Sequence, residues 1–353
     1  MSNSIKVLAK MDSFEHEQVV FCQDKETGLK AIIAIHDTTL GPALGGTRMW
    51  DYKNEEDALE DVLRLSRGMS FKASISGLDL GGGKAVIIGD ASKHKTEKLM
   101  RKFGKFVDTL SGNYITAEDV GMSTKDMEYV RMETKHVTGI PVSMGGSGDP
   151  SPVTAYGVYM GIKASSKFLW GDDNLIGKKI LVQGIGHVGE YLVKYLSEER
   201  ANVYISDIDQ AKLDNVASIY GATIINNDSV FDFDMDIYAP CALGGILNTA
   251  NIDKLKCSIV CGGANNQFED EIRDSLHLKE KGIVCAPDFL VNSGGLINVY
   301  SELKGYDRAK ALEQTKEIYN TTLDILKKSK EEGITSYSAA LKIAKNRIEA
   351  KKS

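Results

Sequence analysis

The chain has 353 residues, 42% of them apolar and 26% charged, a composition that excludes a disordered or fibrous protein and leaves room for about two domains. Its net charge is −6 and its basic residues are scattered, which argues against nucleic acid or an anionic membrane and favours a small soluble partner. The first residues lack the apolar core of a secretory leader, and no uncharged apolar run of about 20 residues could span a bilayer, so the expected compartment is the cytoplasm. Cys22, Cys241, Cys257, Cys261 and Cys285 follow no ligand spacing, nor do the six histidines; reduced thiols and no metal are expected. Glycine, at 34 residues, is in excess and clustered.

In chain order, residues 18–36 read as two β-rich runs joined by a turn at Lys25-Glu26-Thr27-Gly28. A glycine-rich loop is expected at Gly41–Gly46. Asn54 is a good helix cap, and after it apolar residues recur at Ala58, Leu59, Val62, Leu63, Leu65 and Met69 while Glu60, Asp61 and Arg64 take the other face, which predicts an amphipathic helix. Gly81-Gly82-Gly83-Lys84 precedes a strand at 85–88, then come a helix over 97–110 and a short strand at 114–116. Gly145 to Pro152 interrupts all periodicity and is the expected hinge, closing a first domain of residues 1–144. Beyond it, strands at 179–183, 202–206, 236–239, 258–261 and 282–285 alternate with helical stretches, the pattern of a parallel, doubly wound sheet in a domain of residues 145–329. From Asp307 two helical patterns are broken near Gly333. The fold class expected is α/β: a first domain with a mixed sheet and a Rossmann-type second domain.

Lys179 to Gln183 runs directly into Gly184-Ile185-Gly186-His187-Val188-Gly189 and then a helix, so a GxGxxG lies where strand turns into helix. There Gly184 permits the tight turn, Gly186 lets backbone approach a pyrophosphate, and Gly189 lets helix and strand pack closely. Asp207, 23 residues after Gly184 and at the end of the next strand, is placed to accept hydrogen bonds from a ribose diol and to repel a 2′-phosphate, which favours NAD over NADP.

Lys72 and Lys84 stand twelve residues apart, and Lys84 sits between three glycines and an apolar strand, where a surface lysine is unexpected. The glycines would let backbone come close to a ligand. Two cations in one cleft would bind a carboxylate and depress each other's pKa, leaving one able to act as a base near neutral pH. Asp119, after a short strand, could supply the matching acid, or could simply cap a turn.

The segments Gly41-Pro42-Ala43-Leu44-Gly45-Gly46-Thr47-Arg48-Met49, Gly68 to Lys72, Gly81 to Lys84, Thr116 to Gly121, Pro150 to Ala155 and Ala286 to Gly295 together resemble, in order and over nearly the whole chain, the superfamily of glutamate, leucine, valine and phenylalanine dehydrogenases, the leucine enzymes most closely. That resemblance implies that Lys72 binds the substrate α-carboxylate, Lys84 is the catalytic lysine and Asp119 exchanges a proton with the amino group. It places Thr154 and Asn265 near nicotinamide and substrate, Pro240 and Cys241 with the glycine motif at the cofactor, and Leu44, Gly45, Gly46, Met69, Leu296 and Val299 around the substrate. It further implies an inter-domain cleft, a C-terminal helix (330–353) returning to the first domain, and a homo-oligomer, by resemblance an octamer. Glutamate enzymes carry a lysine and a serine where this chain has Leu44 and Val299, so an apolar, branched-chain substrate is expected, with valine and phenylalanine as alternatives. Thr47 and Leu296 depart from the leucine enzymes' usual cysteine and valine. Two readings outside the family compete: a hydroxy-acid dehydrogenase would need a histidine base, and no histidine here has a convincing context; a non-catalytic NAD-binding regulator would have no reason to hold Lys72, Lys84 and Asp119 together.

Overall fold

A computed structural model describes residues 6–242 and 244–352. The elements in chain order are α1 (Val7–Phe14), β1 (Gln18–Asp24), β2 (Leu29–Asp37), β3 (Ala43–Trp50), α2 (Glu55–Ile75), β4 (Gly81–Ile88), α3 (Ala91–His94), α4 (Glu97–Asp108), β5 (Tyr114–Glu118), α5 (Thr124–Arg131) and α6 (Ser151–Trp170). There follow β6 (Lys179–Gln183), α7 (His187–Glu198), β7 (Asn202–Ser206), α8 (Gln210–Tyr220), β8 (Thr223–Ile224), β9 (Ile237–Pro240), α9 (Thr249–Lys254), β10 (Ile259–Val260), α10 (Glu271–Glu280) and β11 (Val284–Cys285). The chain ends with α11 (Asp288–Val291), α12 (Gly294–Glu302), α13 (Arg308–Lys316), α14 (Ile318–Glu332) and α15 (Ser336–Lys352). It divides into two compact units: the described residues as far as Asp149 with Val299–Asp307 and the segment from Ala344, and Pro150–Asn298 with Arg308–Ile343. The α/β, two-unit architecture expected from the sequence is the one observed.

Among the described residues, the first unit holds a five-stranded sheet in the order β1-β2-β4-β3-β5. β1, β2 and β4 pair antiparallel, and β3 pairs parallel to both β4 and β5. Alternation along β2 sorts its side chains between two apolar layers: Ala31, Ile33 and Ile35 pack with Phe103, Val107, Met127 and Val130 of α4 and α5, while Ile32 and Ala34 pack with Ala58, Leu59, Val62 and Leu63 of α2. α2 begins where the Asn54 side chain accepts from Asp57 N–H at 2.8 Å, with Glu55, Glu56 and Asp57 favoured against the helix N-terminus. α5, which the periodicity does not reveal, starts from a capping box of Ser123 and Asp126.

Two stretches read as glycine loops are strands: Gly45 and Gly46 lie within β3, and Gly81–Gly83 open β4. What approaches these glycines is protein. A Cβ at Gly82 would stand 2.1 Å from Ser70 N in α2, and one at Gly45 1.6 Å from Gly83 O. Glycine is poorly suited to strands in isolation, but here both neighbouring backbones need its missing side chain.

Among the described residues of the second unit, six strands run parallel in the order β11-β10-β9-β6-β7-β8, so β6 sits at the point where the winding reverses. Leu181, Tyr238 and Val260, from three adjacent strands, share one apolar cluster with Leu247, Ile252 and Leu278. No helix among the described residues is long and apolar enough to cross a membrane.

Two neutral histidines are built into the first unit. His16 Nε2 and His36 Nδ1 bond Ser66 and Ser70 hydroxyls of α2 at 2.7 and 2.8 Å, and their rings meet edge to face at 4.9 Å. Burial pulls the pKa of His16 down to about 4 and that of His36 to about 3, against 6.5 ordinarily. Both values are depressed in the folded state, so the stability they supply is complete above pH 6.5 and is lost as pH falls toward 4. Each should cost up to about 1.4 kcal/mol per pH unit within that window. The melting temperature should therefore fall between pH 6.5 and 4.5, and His36→Asn should flatten the decline; equal slopes in both proteins would remove the histidines from it.

Candidate active site

Lys84 and Asp119 reach each other from opposite sides of β3. The register sets Thr47 of β3 beside Ala85 of β4 and Glu118 of β5, so the two groups approach over the Gly45-Gly46 backbone. A Cβ at Gly46 would touch Glu118 O at 2.5 Å and Asp119 Cβ at 3.0 Å, so only glycine leaves them room. Lys84 Nζ lies 3.1 Å from Asp119 Oδ2, and its side chain is 7% exposed. Burial, with the Arg48 guanidinium, pushes Lys84 below the ordinary lysine range against the opposing pull of Asp119. Burial alone would raise Asp119, but Lys84 and Arg48 together hold its carboxyl below the usual range.

Beneath this pair a buried chain of hydroxyls fixes the strands. Thr47 Oγ1 and Thr116 Oγ1 share a hydrogen bond at 2.6 Å, and Tyr114 OH donates to Gly45 O at 2.7 Å. The threonine at position 47 thus has its hydroxyl paired in the core. Leu44, next along β3, is 2% exposed; Met69 and Lys72 occupy the C-terminal part of α2 and are half-buried. Val299 is buried on α12 in the first unit, and Leu296, one turn before it on the same helix, is buried in the second.

Sequence reasoning missed the rest of the charge cluster. Arg48 of β3 donates from Nε to Asp119 Oδ2 and from Nη1 to Asp61 Oδ2, both at 3.0 Å. Asp61, read as part of the polar face of α2, is 17% exposed in its side chain and also accepts from Tyr52 OH at 2.7 Å and Arg64 Nη2 at 3.0 Å. The signal was an arginine in the interior of a buried strand, which needs a carboxylate partner.

In the second unit the glycine turn, Asp207, Pro240 and Cys241 lie at the C-terminal ends of β6, β7 and β9, and Thr154 lies in the first turn of α6. Gly184, with φ +96°, makes the turn from β6 into α7, and a Cβ at Gly189 would lie 2.0 Å from Gly184 O. A Cβ at Gly186 would meet nothing within 4 Å, and no side chain caps the α7 N-terminus, whose first amides are the kind of donors that bind an anion. Asp207 ends β7; its Oδ2 accepts from Ile185 N–H at 2.5 Å and Oδ1 from Asp209 N–H at 2.9 Å. Burial opposes ionisation there, but these backbone donors outweigh it and hold the carboxyl below its usual range. Pro240 ends β9, and Cys241 N–H donates to Gln183 O at 2.7 Å, joining the ends of β9 and β6. Burial raises the Cys241 thiol to about 12, and all five cysteines are free. Asn265 Oδ1 accepts from the buried Asn292 amide at 2.8 Å, and Thr154 Oγ1 donates to Pro150 O at 2.9 Å in the first turn of α6. An open helix N-terminus after a tight glycine turn, with a carboxylate at the next strand end, fits a dinucleotide. Among the described residues, no cluster of His, Cys, Asp and Glu could hold a metal ion.

Comparison with known proteins agrees with this geometry. The family model for Glu/Leu/Phe/Val dehydrogenase, dimerisation domain, matches residues 16–136, and that for Glutamate/Leucine/Phenylalanine/Valine dehydrogenase matches residues 204–352. A leucine dehydrogenase of Thermoactinomyces intermedius is 51% identical, covering 98% of this chain and 94% of its own. A phenylalanine dehydrogenase of Caldalkalibacillus thermarum is 46% identical, covering 95% and 92%. The crystal structure of L-tryptophan dehydrogenase from Nostoc punctiforme superposes with a TM-score of 0.88 at 46% identity, covering 98% and 99%. The chain belongs to the glutamate, leucine, phenylalanine and valine dehydrogenase family and is an amino-acid dehydrogenase.

Proposed function

We propose that this enzyme deaminates leucine and other branched-chain L-amino acids oxidatively and reversibly, with NAD as the oxidant. The observation that carries the reading is buried Lys84 at 3.1 Å from Asp119, flanking the strand β3 that also carries the buried, apolar Leu44. Lys72 binds the substrate carboxylate, and Asp119 takes a proton from the substrate ammonium group. A bound NAD would supply the hydride acceptor for Cα, and loss of that hydride turns the substrate C–N bond into an iminium. Lys84, biased by burial toward its neutral amine, takes a proton from water as the water oxygen bonds to the iminium carbon. Asp119 returns its proton to the nitrogen; as the C–N bond breaks, the hydroxyl oxygen becomes the carbonyl and gives its proton back to Asp119, so that ammonia and the 2-oxo acid leave.

Leu44 and Val299 support an apolar substrate: a glutamate γ-carboxylate buried against them would cost several kcal/mol, whereas burying an aliphatic side chain contributes about 1.5–3 kcal/mol. Leu44→Lys with Val299→Ser should lower leucine turnover and admit glutamate; an unchanged ratio of the two activities would mean that neither residue lines the pocket. A second reading, an aromatic amino acid as preferred substrate, is favoured by the nearly equal identities to the leucine, phenylalanine and L-tryptophan enzymes. Asp207 supports NAD over NADP, since its carboxylate would face a 2′-phosphate. The reading includes a cytoplasmic homo-oligomer, an octamer by resemblance; the edge position of β1 with its exposed Phe21 supports association, not its size. A solution mass of eight chains is the expected result of light scattering.

A further inference from the structure

Arg48 occupies the interior of β3 between the two carboxylates Asp119 and Asp61, and both of its contacts are close at 3.0 Å. Its contact on Asp119 is Oδ2, the same oxygen that Lys84 approaches at 3.1 Å. Both cations thus contact one and the same oxygen, Oδ2. Lys84 and Arg48 differ in one respect that matters chemically: a lysine can lose its proton when buried, whereas a guanidinium keeps its charge at any pH the enzyme meets. If Lys84 is to work as an amine, Asp119 loses one of its two counter-ions at that moment, and a half-buried carboxylate left with no cation would take up a proton more readily.

We propose that Arg48, held in place by Asp61, is a positioning residue that fixes Asp119 by its Oδ2 and presents Oδ1 to the substrate amine. The inference rests on the deamination reading and deepens it. Arg48 keeps Asp119 ionised independently of the protonation state of Lys84, so the two groups can exchange protons with substrate and water in separate steps. Asp61 makes this possible by neutralising Arg48 on its far side. Tyr52 and Arg64 hold Asp61 in turn, so the cluster links β3, α2 and the residue after β5. The charged and titratable groups around Asp119 are Lys84 from β4, Arg48 from β3, Tyr114 from β5 and, through Arg48, Asp61 from α2.

The test measures kcat, KM and the pH dependence of kcat/KM for leucine in Arg48→Gln, Arg48→Lys and Asp61→Asn, beside the unaltered enzyme. Removing the Arg48 charge raises the pKa of Asp119, which must be ionised to accept a proton, so the acid limb of kcat/KM should move to higher pH by about one unit. Arg48→Gln should also lose about 100-fold in kcat with little change in KM. Arg48→Lys restores the charge without the fork and should return the acid limb while recovering kcat only in part. Asp61→Asn leaves Arg48 in place but untethered, and should lower kcat about tenfold at unchanged KM; it serves if Arg48→Gln does not fold. Three results would overturn the proposal: near-normal kcat in Arg48→Gln or Asp61→Asn, a loss of kcat in Arg48→Gln with the acid limb unmoved, or a rise in KM that accounts for the loss. If the unaltered enzyme does not oxidise amino acids at all, it is the deamination reading that fails.

Discussion

Lys84→Ala is expected to lower the turnover of leucine by about 10³-fold while leaving dinucleotide affinity unchanged. The size follows from general base catalysis, typically 10²–10⁴-fold, by an amine in contact with Asp119. The separation of effects follows from location: Lys84 belongs to the first unit, whereas the glycine turn and Asp207 belong to the second. Burial makes the assignment specific, because a lysine with a 7% exposed side chain has its charged form disfavoured, and nothing in the packing of β4 calls for an amine at that position. Steady-state kinetics beside a fluorescence titration with NADH checks both halves of the prediction. Turnover within a few-fold of the unaltered enzyme would remove Lys84 from the chemistry.

Gly45→Ala is expected to be the most damaging small substitution for folding, and Gly186→Ala to leave folding untouched while weakening dinucleotide binding. A Cβ at Gly45 would lie 1.6 Å from Gly83 O, a backbone atom that cannot rotate away, so β3 must leave β4 and the sheet beneath the active site opens. Overpacking against backbone costs about 3 kcal/mol or more, a large share of a typical domain's stability. A Cβ at Gly186 meets no protein atom within 4 Å, so any effect there reports something that binds over the α7 N-terminus. Melting temperature and NADH titration on the two variants separate the cases: a stable Gly45→Ala protein would contradict the strand packing, and full NADH affinity in Gly186→Ala would contradict the location of the pyrophosphate.

These glycines also show how far the sequence could be read. Where local chemistry decides, as at the Asn54 cap, the apolar stripe of α2 or the strand–glycine–helix passage after Gln183, prediction and structure agree closely. The glycine runs at 41–46 and 81–83 read as loops because glycine's backbone freedom is a local property, while the need to remove Cβ atoms between β3, β4 and α2 exists only once those elements are packed. Asp61 was legible as polar but not as a partner: helical periodicity places it off the apolar stripe, and only the position of β3 brings Arg48 to it. Arg48 and Asp119 lie 71 residues apart, and no spacing rule connects them. Lys84 and Asp119 each stand out in the sequence, but their meeting depends on β3 lying between β4 and β5, a strand order that chain order does not dictate.

The most direct test is the rate of NADH formation with purified enzyme across a panel of L-amino acids, with NAD and with NADP. Rapid reduction of NAD is expected with leucine and the other branched-chain amino acids, little with glutamate, and much slower reduction of NADP. Equal or faster oxidation of glutamate, or preference for NADP, would contradict the proposed function.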